Sequence, residues 1–255
     1  MTTSRVDKCS YCGKGGELYF KRDSGEIFCP TCLKKSVTRR IKKTISKYTM
    51  LEPHDTLLVL CDPFHEDILM IQLEILLEIE RSYKTKIIVG IHEPQLAESV
   101  LELSRKVLGM ERVSVLSVEY PRNYTSLSEE ERLTIIENIA ENVCRELEAH
   151  CKTLVLETLD EVAARIVRGL LDSSPNLIFH CQPVVSLNCT KLVRPFFRIR
   201  REELEFLSGV GGSLGREAEW YGEVCKLLDA LETDYPSIKY STIAILPTLL
   251  RVLDP

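Results

Sequence analysis

The chain has 255 residues, 44% of them hydrophobic and 28% charged, which is enough for one sizeable core and a small appended module. No apolar run approaches the roughly 18 to 20 residues of a membrane span and no signal peptide is recognisable, so a soluble, cytoplasmic protein with no membrane partner is expected. The net charge of −5 hides an asymmetry: residues 1–50 carry twelve Lys or Arg against four Asp or Glu, a net of +8, leaving −13 on the other 205 residues.

Cys9-x2-Cys12 and Cys29-x2-Cys32 open the chain. Two such pairs, each able to bend a tight knuckle, have the spacing of a four-thiolate metal site. Between them lie an apolar strand Leu18–Phe20, a turn Asp23-Ser24-Gly25 and a strand Glu26–Phe28, the parts of a zinc ribbon. No histidine precedes His54, so the expected ligands are Cys9, Cys12, Cys29 and Cys32, closed around a structural zinc. Two disulfides or an iron–sulfur centre are the other readings of four cysteines; the lack of a signal peptide argues against the disulfides. The remaining six cysteines include no second CxxC, and most sit among apolar residues as buried thiols do.

A helix is predicted directly after the ribbon, from Leu33 to Tyr48. Leu33, Val37, Ile41, Ile45 and Tyr48 fall on one stripe at helical spacing. Lys34, Lys35, Arg39, Arg40, Lys42, Lys43 and Lys47 occupy the other faces and lack acidic partners four residues away, which suits contact with a phosphate backbone. A solvated helix face is the plainer reading of the same charges.

From residue 56 strands alternate with helices. Thr56–Cys61 is a continuous apolar run, as in a strand buried on both faces. There follow a helix over 66–83, a strand over 86–91, a helix over 94–109 and a strand over 112–118. A long helix over 128–150 opens with the capping-box pair Ser128 and Glu131. A strand over 152–156 and a helix over 159–171 complete the series. This alternation predicts an α/β fold with a doubly wound parallel sheet, whose ligands bind beyond the carboxyl ends of the strands. Farther on, a short strand over 176–181, a helix over 202–208, a flexible connection Gly209–Gly215 and two helices broken at Tyr235-Pro236 are expected. The expected units are residues 1–48 (ribbon and basic helix), 49–208 (the α/β domain) and 209–255 (a helical extension).

Four stretches, in this order, resemble the PP-loop tRNA 2-thiolation family of 2-thiouridine synthetases and cytoplasmic tRNA 2-thiolation subunits. They are the ribbon with its helix ending Ile45-Ser46-Lys47-Tyr48; Leu159-Asp160-Glu161-Val162-Ala163; Arg194-Pro195-Phe196-Phe197-Arg198-Ile199 with Arg201-Glu202-Glu203-Leu204; and Leu228-Leu231-Glu232 with Pro236-Ser237-Ile238-Lys239-Tyr240-Ser241. The resemblance implies a Rossmann-like PP-loop ATPase domain and a tRNA partner. It further implies an active PP-loop paralogue that adenylates the wobble uridine, and a ubiquitin-like sulfur carrier.

Active members of that family carry Ser-Gly-Gly-Lys-Asp-Ser after the first strand. Here Asp62-Pro63-Phe64-His65-Glu66-Asp67 stands in its place. Proline removes a backbone N–H, Phe64 adds bulk, and three carboxylates repel a polyphosphate, so ATP is not expected. Ser128–Arg132 replaces the family's cysteine pair, Glu157-Thr158 its His-Asn, and only Cys181 or Cys189 is available as a later catalytic cysteine, so no iron–sulfur cluster is expected. These departures imply a non-catalytic partner subunit with no catalytic residues of its own. Two alternatives stand beside it: a metal-dependent enzyme rebuilt on Asp62, His65, Glu66 and Asp67, and a zinc-ribbon RNA-binding adaptor. The plainer reading of Glu66 and Asp67 is that they favour a helix N-terminus.

Overall fold

The computed structural model describes residues 8–63, 66–83, 85–109, 112–147, 151–209 and 222–253. A hairpin of β1 (Tyr19–Lys21) and β2 (Glu26–Phe28) comes first, paired antiparallel with Tyr19 opposite Phe28. Gly25, at φ 69°, takes the left-handed conformation its turn requires. Helix α1 (Pro30–Tyr48) follows at once, with Cys29 as N-cap and proline at its first position, where the missing N–H is not needed. Its Leu33, Val37 and Ile41 are fully buried.

The α/β series is β3 (Thr56–Leu60), α2 (Glu66–Glu80), β4 (Lys86–Ile91), α3 (Leu96–Leu108), β5 (Val113–Ser117), α4 (Glu129–Glu146), β6 (Cys151–Val155) and α5 (Leu159–Leu171). Then come α6 (Pro175–Phe179), β7 (Val184–Ser186), β8 (Thr190–Val193), α7 (Arg201–Ser208), α8 (Gly222–Glu232), α9 (Ile238–Ala244) and α10 (Leu246–Leu253). The six-stranded sheet runs β5-β4-β3-β6-β8-β7, parallel throughout except for the antiparallel edge strand β7. Strand period divides the sheet between two cores. Leu57, Val59 and Leu154 face the core shared with α1, α2 and α5, while Leu58, Leu60 and Val155 face Ile136 and Ala140 of α4. Both faces are covered, which is why the strands read as unbroken apolar runs.

The expected doubly wound α/β fold with its helical tail is therefore present, and the Ser128–Glu131 capping box forms at the start of α4. Three expectations need correction. Residues 176–181 hold a helix, α6, rather than a strand: the Ser174 hydroxyl accepts from the Leu177 N–H and Pro175 starts the turn. The described tail holds three helices instead of two, and the expected connection from Val210 to Gly215 lies outside the described residues. Most of the six cysteines outside the CxxC pairs were expected as buried thiols, but two of them, Cys144 and Cys151, are paired in a disulfide that joins the end of α4 to β6. Among the described residues no helix is long and apolar enough to cross a membrane.

Three of the stretches singled out in the sequence meet at one carboxylate. Asp160, in the first turn of α5, accepts from the Arg201 backbone N–H at 2.7 Å and from the Lys239 ammonium. Lys239 also pairs with Asp229 at 2.6 Å and Glu232 at 3.1 Å, so α8 and α9 are fastened to the sheet's carboxyl end. The hairpin is fastened too. Tyr19 is buried, lies tilted against Phe206 of α7 with ring centroids 5.6 Å apart, and donates its hydroxyl to Glu202 at 2.6 Å.

Candidate functional site

The four sulfurs of Cys9, Cys12, Cys29 and Cys32 lie within 4.8 Å of one another. Backbone bonds build the first knuckle: the Cys9 N–H donates to the Lys14 carbonyl and the Gly13 N–H to the Cys9 carbonyl, both at 2.9 Å. The Ser10 N–H donates to the Ile27 carbonyl at 2.7 Å, and the Ser10 hydroxyl accepts from the Ile27 N–H at 2.9 Å, tying this knuckle to β2. The second knuckle is the start of α1 itself, where the Leu33 N–H donates to the Cys29 carbonyl. Burial opposes charge on Cys9, but N–H groups of Cys29, Tyr11 and Cys12 outweigh it and lower the thiol to about 6. Burial and the three neighbouring sulfurs push Cys32 up to about 12. Four sulfurs so placed are all thiolates only when a cation sits among them, so the donor set fits a metal centre.

The second region is the switch point of the sheet, between the carboxyl ends of β3 and β6. Asp62 follows β3 and accepts from the Tyr124 hydroxyl at 2.8 Å. Glu157 follows β6 and is buried between two arginines. Arg194 donates to it at 2.6 Å, and Arg165 grips it with both ends of its fork while also donating to Glu129 at 2.7 Å. Burial opposes the charge of Glu157, yet the two guanidinium groups hold its carboxyl well below the usual range. The space left beside these side chains is about 70 Å³. Nucleotide-sized ligands occupy pockets of roughly 300 to 1,000 Å³.

Of the loop expected as the remnant of a nucleotide site, Phe64 and His65 lie outside the described residues. Asp67 faces Arg201, whose guanidinium donates to both of its carboxylate oxygens at 2.6 Å. Asp62 and Asp67 are thus committed to different partners. Among the described residues, only the four cysteines gather as a metal-ligating cluster. Cys181 is fully buried, donates to the Leu177 carbonyl at 3.2 Å, and is pushed up by burial to about 12, so it stays a protonated core thiol. Cys189 is exposed and donates to the Glu141 carbonyl at 3.4 Å.

The basic helix is less uniform than its sequence suggests. Lys34 pairs with Glu74 at 3.0 Å and Glu78 at 2.6 Å, both on α2. Arg40 donates to the buried Glu203 of α7. Partners four residues away in sequence were absent, but acidic partners supplied by other helices were not visible in the sequence. Lys35, Arg39, Lys43 and Lys47 remain exposed on one ridge at i, i+4 spacing, with Lys42 beside it.

No protein-family model matches the chain, and no curated protein matches it. In structure it is similar to the U34-tRNA thiolase NcsA from Methanococcus maripaludis with its [4Fe-4S] cluster, at a TM-score of 0.68 and 17% identity, over 97% of this chain and 87% of that one. At that identity the likeness establishes the PP-loop fold. It also overturns the expectation of a structural zinc with no iron–sulfur centre. A chain of this fold carries a [4Fe-4S] cluster, and an all-thiolate set serves iron–sulfur centres as well as zinc.

Proposed function

We propose that this chain acts in the 2-thiolation of the wobble uridine of tRNA, as a subunit that binds tRNA and supports an active PP-loop paralogue. The observation that carries this reading is the state of the switch point. A glycine-rich cradle would present backbone N–H groups to phosphates there. In this chain Glu157 and its two arginines fill the region, Asp62 is held by Tyr124, and about 70 Å³ is left. The fold of a tRNA thiolase argues for the pathway, and the switch point occupied by ion-paired side chains argues that adenylation happens elsewhere. The exposed cations of α1 are the phosphate-binding surface. A paralogue with an intact cradle, together with a ubiquitin-like sulfur carrier, would supply the chemistry.

Two measurements test this. Isolated protein mixed with ATP, magnesium and tRNA should release no pyrophosphate above the rate of an enzyme-free control. Native protein purified under gentle conditions should bring down a paralogue bearing Ser-Gly-Gly-Lys-Asp-Ser. Turnover by the isolated chain would overturn the non-catalytic role.

A further inference from the structure

A groove of about 520 Å³ runs between α1, the end of β1 and the start of α9. Lys21 comes from β1, Lys43 and Lys47 from α1, and Arg198 from the segment between β8 and α7. Two rings, Tyr48 of α1 and Tyr240 of α9, share the lining. Both rings are held in place: Tyr48 stands edge-on to Phe197 at 5.6 Å with the Lys47 ammonium 5.0 Å from its centroid, and the Arg200 guanidinium lies 5.2 Å over the face of Tyr240, leaving the other face of each ring for a base.

The distribution of charge here is what folding alone does not explain. Lys21 has a carboxylate partner, Asp23, at 3.4 Å. Lys43, Lys47 and Arg198 have no carboxylate partner among the described residues, although the chain outside residues 1–50 is strongly acidic. Two separate segments, α1 and the stretch before α7, thus bring unpartnered like charges to one groove beside the Lys21–Asp23 pair, an arrangement that an entering anion would relieve. Aromatic rings beside cations that lack carboxylate partners are the equipment for a phosphate with an attached base. The groove's volume lies in the range of a site for one small ligand, too small for a duplex. RNA bases are available for stacking where the strand is single.

We infer that this groove seats one nucleotide of a single-stranded RNA segment, its phosphate on Lys43, Lys47 and Arg198 and its base against Tyr48 or Tyr240. The inference rests on the tRNA-binding reading above and adds a defined seat to it, at the C-terminal half of the basic ridge, where Lys43 and Lys47 line the groove and Lys35, Arg39 and Lys42 do not.

The test uses the full chain with its metal centre. Binding of labelled tRNA is titrated against salt for wild type, K43E/R198E and the comparison variant K35E/R39E, with melting curves and metal content checked for each. K43E/R198E should lose at least about tenfold in affinity near 0.1 M salt, and its slope of log affinity against log salt should shrink by about 1.4, two single-strand contacts at about 0.7 each. Ultraviolet crosslinking of unmodified protein to tRNA should place adducts on Tyr48 or Tyr240, a readout that needs no variant. Competition distinguishes the source of the phosphate: uridine trinucleotide should displace tRNA at concentrations where uridine monophosphate does not. Unchanged slope with crosslinks elsewhere would overturn the groove and leave tRNA binding standing. Equal competition by the mononucleotide would overturn the RNA assignment. Failure of wild type to bind tRNA at all would overturn the tRNA-binding reading and the groove with it.

Discussion

Lys239→Met examines the fastening of α9 to α5. The ammonium is 3% exposed and contacts three carboxylates, of which Asp229 keeps 27% of its side chain in solvent while Asp160 and Glu232 keep 6% and 7%. Removing the lysine strands Asp160 as a buried charge; Glu232 retains Arg200. Breaking such a pair from one side costs about 3 to 5 kcal/mol. At about 2 to 4 °C per kcal/mol for a chain of this size, the melting temperature at pH 7 should fall by roughly 6 to 20 °C. The pH dependence carries the sharper test. Burial opposes the charge of Asp160, but Lys239 and the Arg201 N–H hold its pKa below the ordinary value. Its contribution is therefore present above its unfolded pKa of about 3.9 and is lost only as pH falls through the lower folded value. Lys239, raised by the same carboxylates, contributes below about pH 10.4 and loses that contribution as pH rises through its folded value. In the variant Asp160 protonates more readily, which relieves the buried charge. The gap to wild type should therefore narrow between pH 7 and pH 4. Differential scanning fluorimetry across that range, with Asp160→Asn/Lys239→Met recovering part of the loss, is the assay. A melting point within 2 °C of wild type at pH 7, or a gap that does not narrow in acid, would refute the reasoning.

Cys12→Ser should strip the metal centre and loosen residues 8–32. Metal and acid-labile sulfide would be assayed together, and trypsin should cut the hairpin while α2 to α6 stay protected, unlike in wild type. Glu157→Gln leaves Arg165 and Arg194 without their shared carboxylate, so stability should fall by about 3 kcal/mol, read from urea midpoints at pH 7. Because Glu157 is depressed in the native protein, its contribution fades only at acid pH, and the variant should lose less stability on acidification than wild type.

Most of the α/β frame was legible because its signals are local. Continuous apolar runs marked β3 and β4, and Ser128 with Glu131 marked the start of α4. The helix Pro175–Phe179 was misread because the three-residue apolar run Leu177–Phe179 has no period to display, although Ser174-Pro175 carried the start signal. Four clustered cysteines were readable from spacing, but spacing does not distinguish zinc from an iron–sulfur centre. The pairing of Lys34 with Glu74 and Glu78, of Arg40 with Glu203, and of Glu157 with two arginines joins residues far apart in the chain. No local pattern announces such pairs.

The clasp at Asp160 also has a direction in time. Lys239 follows Asp160 by 79 residues, and at about 5 to 20 residues per second a ribosome adds that length in about 4 to 16 s. Throughout that interval the Asp160 carboxylate of the nascent chain has no Lys239 ammonium to meet it. Helix α9, made well after α5, is therefore the latch that closes over a core begun before it.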